Sequence, residues 1–389
     1  MKAVGITYER KRVKPMPVCL KKRLDSHCRA MAVIVTTTAL AIGVSGCAQK
    51  KAAATIPAPA ATAPTLAAAS AAECPPATPQ AFPPNPTPRL VEYFFLDKGK
   101  HYADYAKQIN FTKMTHLNLA FGVPPKCEGI CTASSDMTFS IQGQSDADIA
   151  AIVTVAHAAG VKVILSVGGG GGDQRIIQFY NAGLSAELVN SLDKFVAAHG
   201  FEGVDLDIED PANMGAPFAT FVNALIANFH PEGKIVTAAV AKYLQSSMPD
   251  ASLRQFDFIN VMSYSSYDEA LSSLKFYSVD EKIARDKIVL GVPFFGSTAD
   301  DSKEESYQAI LAAYPNAWKV DLVGGGPLDD GQAFRYAGEA TMARETQLGE
   351  QYGGVMLWSI LGDAPAPHSL LTVIQNNLNT SHAAQAGNP

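Results

Sequence analysis

Beyond residue 88 the chain has no run of lysine or arginine, and Lys+Arg 31 against Asp+Glu 37 leaves a net charge of -6. A surface built to neutralise phosphates is therefore missing, which excludes nucleic acid as a partner. A membrane span is missing too. The early apolar run, Ala30 to Val44, is shorter than the ~20 residues that cross a bilayer as a helix. Cysteine is sparse: Cys19 and Cys28 precede that run, Cys47 closes it, and Cys74, Cys127 and Cys131 follow. The C-x3-C of Cys127 and Cys131 has no companion pair or nearby histidine, so a structural zinc site lacks its ligands. In an oxidising compartment these two are expected to form a loop disulfide, with Cys74 free. The glycine run Gly168 to Gly172 is followed by no Lys-Ser/Thr and opens no G-x-G-x-x-G frame, which removes a phosphate cradle. A backbone that lets a ligand approach closely is the expected use of Gly168 and Gly169.

What the 389 residues do hold is 47% hydrophobic and 17% charged side chains, enough for one large α/β core. Residues 1–47 read as an export signal. Lys21, Lys22, Arg23 and Arg29 precede the apolar run, which ends in Ser45, Gly46 and Cys47. This matches a bacterial lipoprotein signal with Cys47 as the acylated residue, an anchor to the cell-envelope membrane; an ordinary secretory signal is the alternative. The basic head lies far from Met1, which makes Met16 an alternative start. Residues 48–88 collapse to Ala, Pro and Thr and are expected to form an extended tether. Residues 378–389 are expected to be a disordered tail.

From residue 89 to 377, eight short runs rich in Val, Ile, Phe and Tyr alternate with amphipathic or Ala-rich segments. The runs are Leu90 to Leu96, His116 to Gly122, Val161 to Gly168, Gly203 to Glu209, Lys234 to Tyr243, Phe256 to Tyr264, Lys287 to Gly296 and Gly354 to Ile360. Helices are expected over Asp146 to Ala159, Ala186 to His199 and Ala216 to Phe229. Repeated strand-helix units predict an α/β fold, a (β/α)8 TIM barrel in one catalytic domain; a doubly wound open sheet shares that grammar. Residues suited to gripping a ligand end several runs, as barrel enzymes require: Phe121, Glu209, Tyr264 and Trp358.

The run Gly203 to Asp210 alternates strictly, with Val204, Leu206 and Ile208 on one face and Asp205, Asp207 and Glu209 on the other. Three carboxylates on one buried face cannot all ionise without large penalties, so at least one is expected to keep its proton. A carboxylic acid held neutral is what cleavage of a glycosidic bond needs. Glu209 has the longest reach, and Pro211 ends strand pairing just after it, so Glu209 is the expected acid at the strand's rim. An acidic edge strand is one alternative. A Mg²⁺ or Ca²⁺ site is another, but same-face positions stand roughly 7 Å apart per step, too far for all three to reach one ion unaided.

The segment Glu202, Gly203, Val204, Asp205, Leu206, Asp207, Ile208, Glu209 resembles the signature strand D-G-x-D-x-D-x-E of the family 18 glycoside hydrolases, with Glu202 at its first Asp. Ser166, Val167, Gly168 and Gly169 resemble the family's S-x-G-G. Ala120 with Phe121, Met262 to Tyr264, and Trp358 extend the likeness over the barrel. The resemblance implies that Glu209 acts as acid and then base while the substrate's own 2-acetamido oxygen attacks the anomeric carbon. Asp207 then orients that acetamido group, Asp205 shares a proton with Asp207, and the Tyr264 hydroxyl holds the acetamido carbonyl. Trp358 would floor the sugar site, with Tyr93 and Phe121 as walls and Met262 and Ser265 beside them. Ser265 stands where the family often has Asp or Asn. The implied substrate is β-1,4-linked N-acetylglucosamine in chitin or chito-oligosaccharides, cleaved by a monomer without cofactor or metal. An endo-β-N-acetylglucosaminidase acting on glycans and a non-hydrolytic sugar-binding protein are the alternatives. Between Gly296 and Gly353 there is room for a helix and a modest extension, which predicts a shallow groove.

Overall fold

The computed structural model describes residues 85–379, with 327, 329 and 330 excepted. The expected signal, most of the expected tether and Cys47 lie outside the described residues. Eight parallel strands close on themselves: β1 (Arg89–Phe95), β2 (His116–Val123), β3 (Lys162–Gly168), β4 (Gly203–Asp207), β5 (Ile235–Val240), β6 (Phe258–Met262), β7 (Ile288–Pro293) and β8 (Gly354–Trp358). Each pairs with its sequence neighbours, and β8 returns to pair with β1. The closed ring decides for the (β/α)8 barrel over an open sheet.

Local chemistry explains the elements. The helix Asp146–Ala158 starts at Ser145, whose hydroxyl accepts the Asp148 N–H while the Asp148 carboxylate accepts the Ser145 N–H, a reciprocal cap. The helices Ser185–His199 and Ala216–Phe229 bury Leu188, Leu192 and Val196, and Phe218, Phe221 and Leu225, against the barrel's outer surface. Strand residues alternate between that outer core and a second cluster inside the ring. Val204, Leu206 and Ile208 belong to the outer core. Each contributes about 1.5–3 kcal/mol by leaving water. Val91, Tyr93, Ala120, Phe258, Val289 and Met356 fill the interior.

Several elements differ from expectation. Strand pairing in β4, β5 and β6 stops at Asp207, Val240 and Met262, short of Glu209, Tyr243 and Tyr264. Those residues have turned into the loops of the barrel mouth. The run expected from Lys287 to Gly296 breaks into β7 and a separate strand, Phe295–Thr298. That strand starts a small antiparallel sheet with Glu304–Ser306, Leu322–Val323 and Phe334–Arg335, accompanied by the helix Tyr307–Ala313. The modest extension expected beside a helix is thus an α+β excursion with a sheet of its own. At both ends the folded part reaches further than expected. The Asn85 N–H donates to the Glu350 carbonyl at 2.8 Å. Leu378 is fully buried, and the Asn379 N–H donates to Glu350 Oε1.

On the helix Glu339–Glu350, Glu345 is 2% exposed, and burial, then Asp321 and Glu269, push its carboxyl up to about 8. The folded protein keeps this proton where the unfolded chain has lost it, so stability falls as pH rises from about 4.5 to about 8. Glu345→Gln is expected to raise the melting temperature at pH 8.5 and to leave it nearly unchanged at pH 5. Melting curves across that range check it, and an equal shift at both pH values would contradict it.

Candidate active site

Strand β4 carries the acids as its alternation requires. Asp205 and Asp207 are 0% and 4% exposed, and Glu209 is half-buried two residues past the last paired position. Glu202, at the strand's other end, accepts the Val163 N–H at 2.7 Å, and its carboxylate lies beside His157, so it clasps β4 to β3 far from the mouth.

Asp205 gathers hydrogen bonds from across the ring. Its Oδ2 accepts from the Tyr93 hydroxyl at 2.7 Å and the Ser166 hydroxyl at 2.8 Å. Its Oδ1 accepts from the Thr237 hydroxyl at 2.6 Å and from Asn260 Nδ2 at 3.2 Å. Asn260 Nδ2 also donates to the Tyr93 oxygen. Four donors from β1, β3, β5 and β6 thus meet on a carboxyl of β4. Burial pushes the Asp205 carboxyl up, and the four hydrogen bonds pull it part of the way back.

The loop bearing Glu209 is held on both flanks. The Glu209 N–H donates to Asp173 Oδ2 at 3.2 Å. Asp173 opens the helix Asp173–Asn181 and is itself pushed up by burial. Gln174 Nε2 donates to Asp210 Oδ2 at 2.7 Å, while Asp210 caps the turn Pro211–Asn213. Tyr264, just past β6, is partly exposed and packs edge-on to Phe295 at 5.5 Å. Its hydroxyl is pushed well above the usual tyrosine value by burial first, then by Asp207 and Glu209. The Tyr264 ring packs against the inner cluster, where its hydroxyl donates to Met356 Sδ at 3.8 Å.

Across the ring lies an aromatic platform. Trp358, partly exposed at the end of β8, stacks against Phe121 at 5.6 Å and Phe95 at 5.9 Å, with Tyr93 edge-on at 5.7 Å. The Ala120–Phe121 peptide bond, inside β2, and the Trp358–Ser359 peptide bond, at the end of β8, are cis. Met262 sits half-buried against this inner cluster, and Ser265 is exposed beyond Tyr264.

Two expectations need correction. Tyr93 is 1% exposed and spends its hydroxyl on Asp205, so it supports Trp358 from beneath rather than walling the pocket. Gly168 and Gly169 also serve the protein itself. A Cβ on Gly168, at φ +109, would meet the Asp207 carbonyl oxygen at 2.2 Å, and one on Gly169, at φ +70, would enter the Phe121 ring at 2.3 Å. The glycines let β3 close on β4 and seat Phe121 under Trp358. Cys127 and Cys131 are disulfide-bonded, with Cα atoms 5.5 Å apart.

Sequence reasoning missed Thr237, Asn260, Asp173 and Phe95. For Thr237 and Asn260 the signal was present: each is a lone polar residue at an inward position of an apolar strand, IVTAAV and FINVM. Asp173 follows the glycine run with no pattern to mark it.

The family model described as "Glycosyl hydrolases family 18" matches residues 89–363. A chitinase-like effector of Moniliophthora perniciosa is 33% identical over 123 residues, which cover 31% of this chain and 26% of that protein's own length. The chain therefore spans only about a quarter of that relative. Among solved structures, the family 18 chitinase ChiB from the chitin utilization locus of Flavobacterium johnsoniae aligns with a TM-score of 0.62 at 24% identity, over 75% of this chain and 94% of that one. A chitinase from Bacteroides thetaiotaomicron aligns with a TM-score of 0.64 at 22% identity, over 78% and 100%. At these identities the two structures speak for a common fold.

Proposed function

The chain belongs to the family 18 glycosyl hydrolases, and from that premise we propose that it hydrolyses β-1,4-linked N-acetylglucosamine in chitin or chito-oligosaccharides. What supports this reading is the placement of Asp207 and Glu209 at the C-terminal end of β4 and of Tyr264 just past the end of β6, across the ring from the half-exposed Trp358 platform at the end of β8. A sugar lying on Trp358 through its C–H face presents its 2-acetamido group to Asp207 and Tyr264. Asp207 orients the acetamido N–H, and the Tyr264 hydroxyl donates to the acetamido carbonyl. Asp205, fixed from four strands, is the alternative seat for the proton of Asp207.

Glu209 gives its proton to the bridging oxygen as the C1–oxygen bond breaks, and the electron pair leaves with that oxygen. The acetamido oxygen forms the new bond to C1, giving an oxazolinium ion. Water then attacks C1, its proton passes to Glu209, and the acetamido carbonyl is restored. Two displacements at one carbon retain its configuration.

Purified protein incubated with chito-oligosaccharides is expected to release shorter oligomers whose new ends keep the β configuration, read by NMR during the first turnovers. An inverted product would sink the acetamido route. Cleavage confined to a high-mannose glycoprotein would move the substrate to an endo-β-N-acetylglucosaminidase, and cleavage of neither would leave a sugar-binding protein.

A further inference from the structure

The glycine run after β3 leads into an acid that the proposed chemistry does not use. Asp173 is 4% exposed, at the start of the helix Asp173–Asn181. Its Oδ2 accepts the Glu209 N–H at 3.2 Å. Burial pushes this carboxyl up, and the backbone N–H groups of Glu209, Gln174 and Asp210 draw it part of the way back against the charge of Asp210. A carboxylate closed off from water is costly unless hydrogen bonds hold it, and two of the groups that hold Asp173 belong to the acid loop.

The place of that bond decides what it does. β4 pairs with its neighbours as far as Asp207, whose carbonyl accepts the Gly169 N–H at 2.8 Å. Glu209 lies past the ladder, and Asp173 receives its N–H in place of a strand. The same helix holds the rest of the loop. Gln174 Nε2 donates to Asp210 Oδ2 at 2.7 Å, the Tyr180 hydroxyl to the Asn213 carbonyl at 3.1 Å, and Asn181 Nδ2 to Asn213 Oδ1 at 2.7 Å. Ile176, Ile177 and Phe179 seat the helix in the outer core. Of these four contacts to the loop, that of Asp173 falls on Glu209 itself and fixes the backbone from which the acid reaches its target. A misplacement of about 1 Å can cost roughly 10²-fold in rate.

We infer that Asp173 is a positioning residue for the general acid: by accepting the Glu209 N–H it aims the Glu209 carboxyl at the bridging oxygen. This rests on the hydrolase reading above. The test compares kcat/KM, which covers the steps up to departure of the leaving group, on two substrates. Chitohexaose needs a proton on its bridging oxygen, whereas dinitrophenyl β-chitobioside loses a stable phenolate and needs none. Asp173→Ala is expected to lower kcat/KM on chitohexaose by roughly 10- to 100-fold, through kcat with KM nearly unchanged, and on the dinitrophenyl substrate by less than about 3-fold. Asp173→Asn keeps an acceptor for the Glu209 N–H and is expected to stay within about 3-fold of the unmodified protein on both. An equal loss on both substrates overturns the inference, as does an unchanged hexaose rate in Asp173→Ala or an Asp173→Asn no faster than Asp173→Ala. If Asp173→Ala does not fold, Asp173→Glu, which keeps the acceptor but moves it by one methylene, should lose rate on chitohexaose alone, and equal effects on both substrates overturn the inference there too. If the unmodified protein cleaves neither substrate, the hydrolase reading fails and the inference falls with it, an outcome told apart by the inactive parent.

Discussion

Glu209→Gln is expected to lower kcat on chito-oligosaccharides by roughly 10²- to 10⁴-fold, the range that a positioned general acid contributes. The amide keeps the shape and the hydrogen-bonding reach of the side chain but has no proton to give. Because Glu209 lies past the end of β4 and is half-buried, melting behaviour should hardly change. KM should also stay close, since the sugar still rests on Trp358. A substrate whose leaving group needs no protonation should be rescued in part, which separates loss of acid catalysis from general damage. A variant that keeps more than a tenth of the parent rate on chito-oligosaccharides would contradict the assignment.

Asp205→Ala is expected to act on the fold before it acts on the rate. It would strip the acceptor from Tyr93, Ser166, Thr237 and Asn260 at once, in a place closed to water. A buried donor left without an acceptor costs about 1–3 kcal/mol. Four of them amount to a large share of the roughly 5–15 kcal/mol that holds a typical protein folded. Relief from burying the carboxyl offsets part of this. The raised Asp205 carboxyl means the folded state holds a proton above the ordinary aspartate range, so its contribution weakens as pH climbs through that window. Urea denaturation at pH 5 and pH 8 should show a drop of several kcal/mol at each. An unchanged midpoint at both would refute the network's structural role.

The sequence made the barrel legible because its signals are periodic. Eight apolar runs with helical spacers predict the ring, and the helix Ala216–Phe229 matches its expected bounds residue for residue. Val204, Leu206 and Ile208 reach the outer core as alternation requires. Where alternation stops, so does the reading. The expected runs extend through Glu209, Tyr243 and Tyr264, past the true strand ends, because a side chain's apolar or polar character does not mark where the backbone leaves the ladder. The internal roles of Tyr93, Gly168 and Gly169 are not legible for a different reason. Each depends on what another strand brings within a few ångströms, Asp205 for the first, Asp207 and Phe121 for the others. Such contacts between distant segments leave no local pattern. The small sheet after β7 was under-read because two of its four strands are two residues long.

The separation of Glu209 from Asp205 has a consequence for how the chain tolerates change. The rim acid hangs from a loop, whereas Asp205 is a keystone on which four other strands lean. On the proposed mechanism, one change at position 209 would remove turnover and leave that frame standing, whereas a change at Asp205 would reach the frame itself.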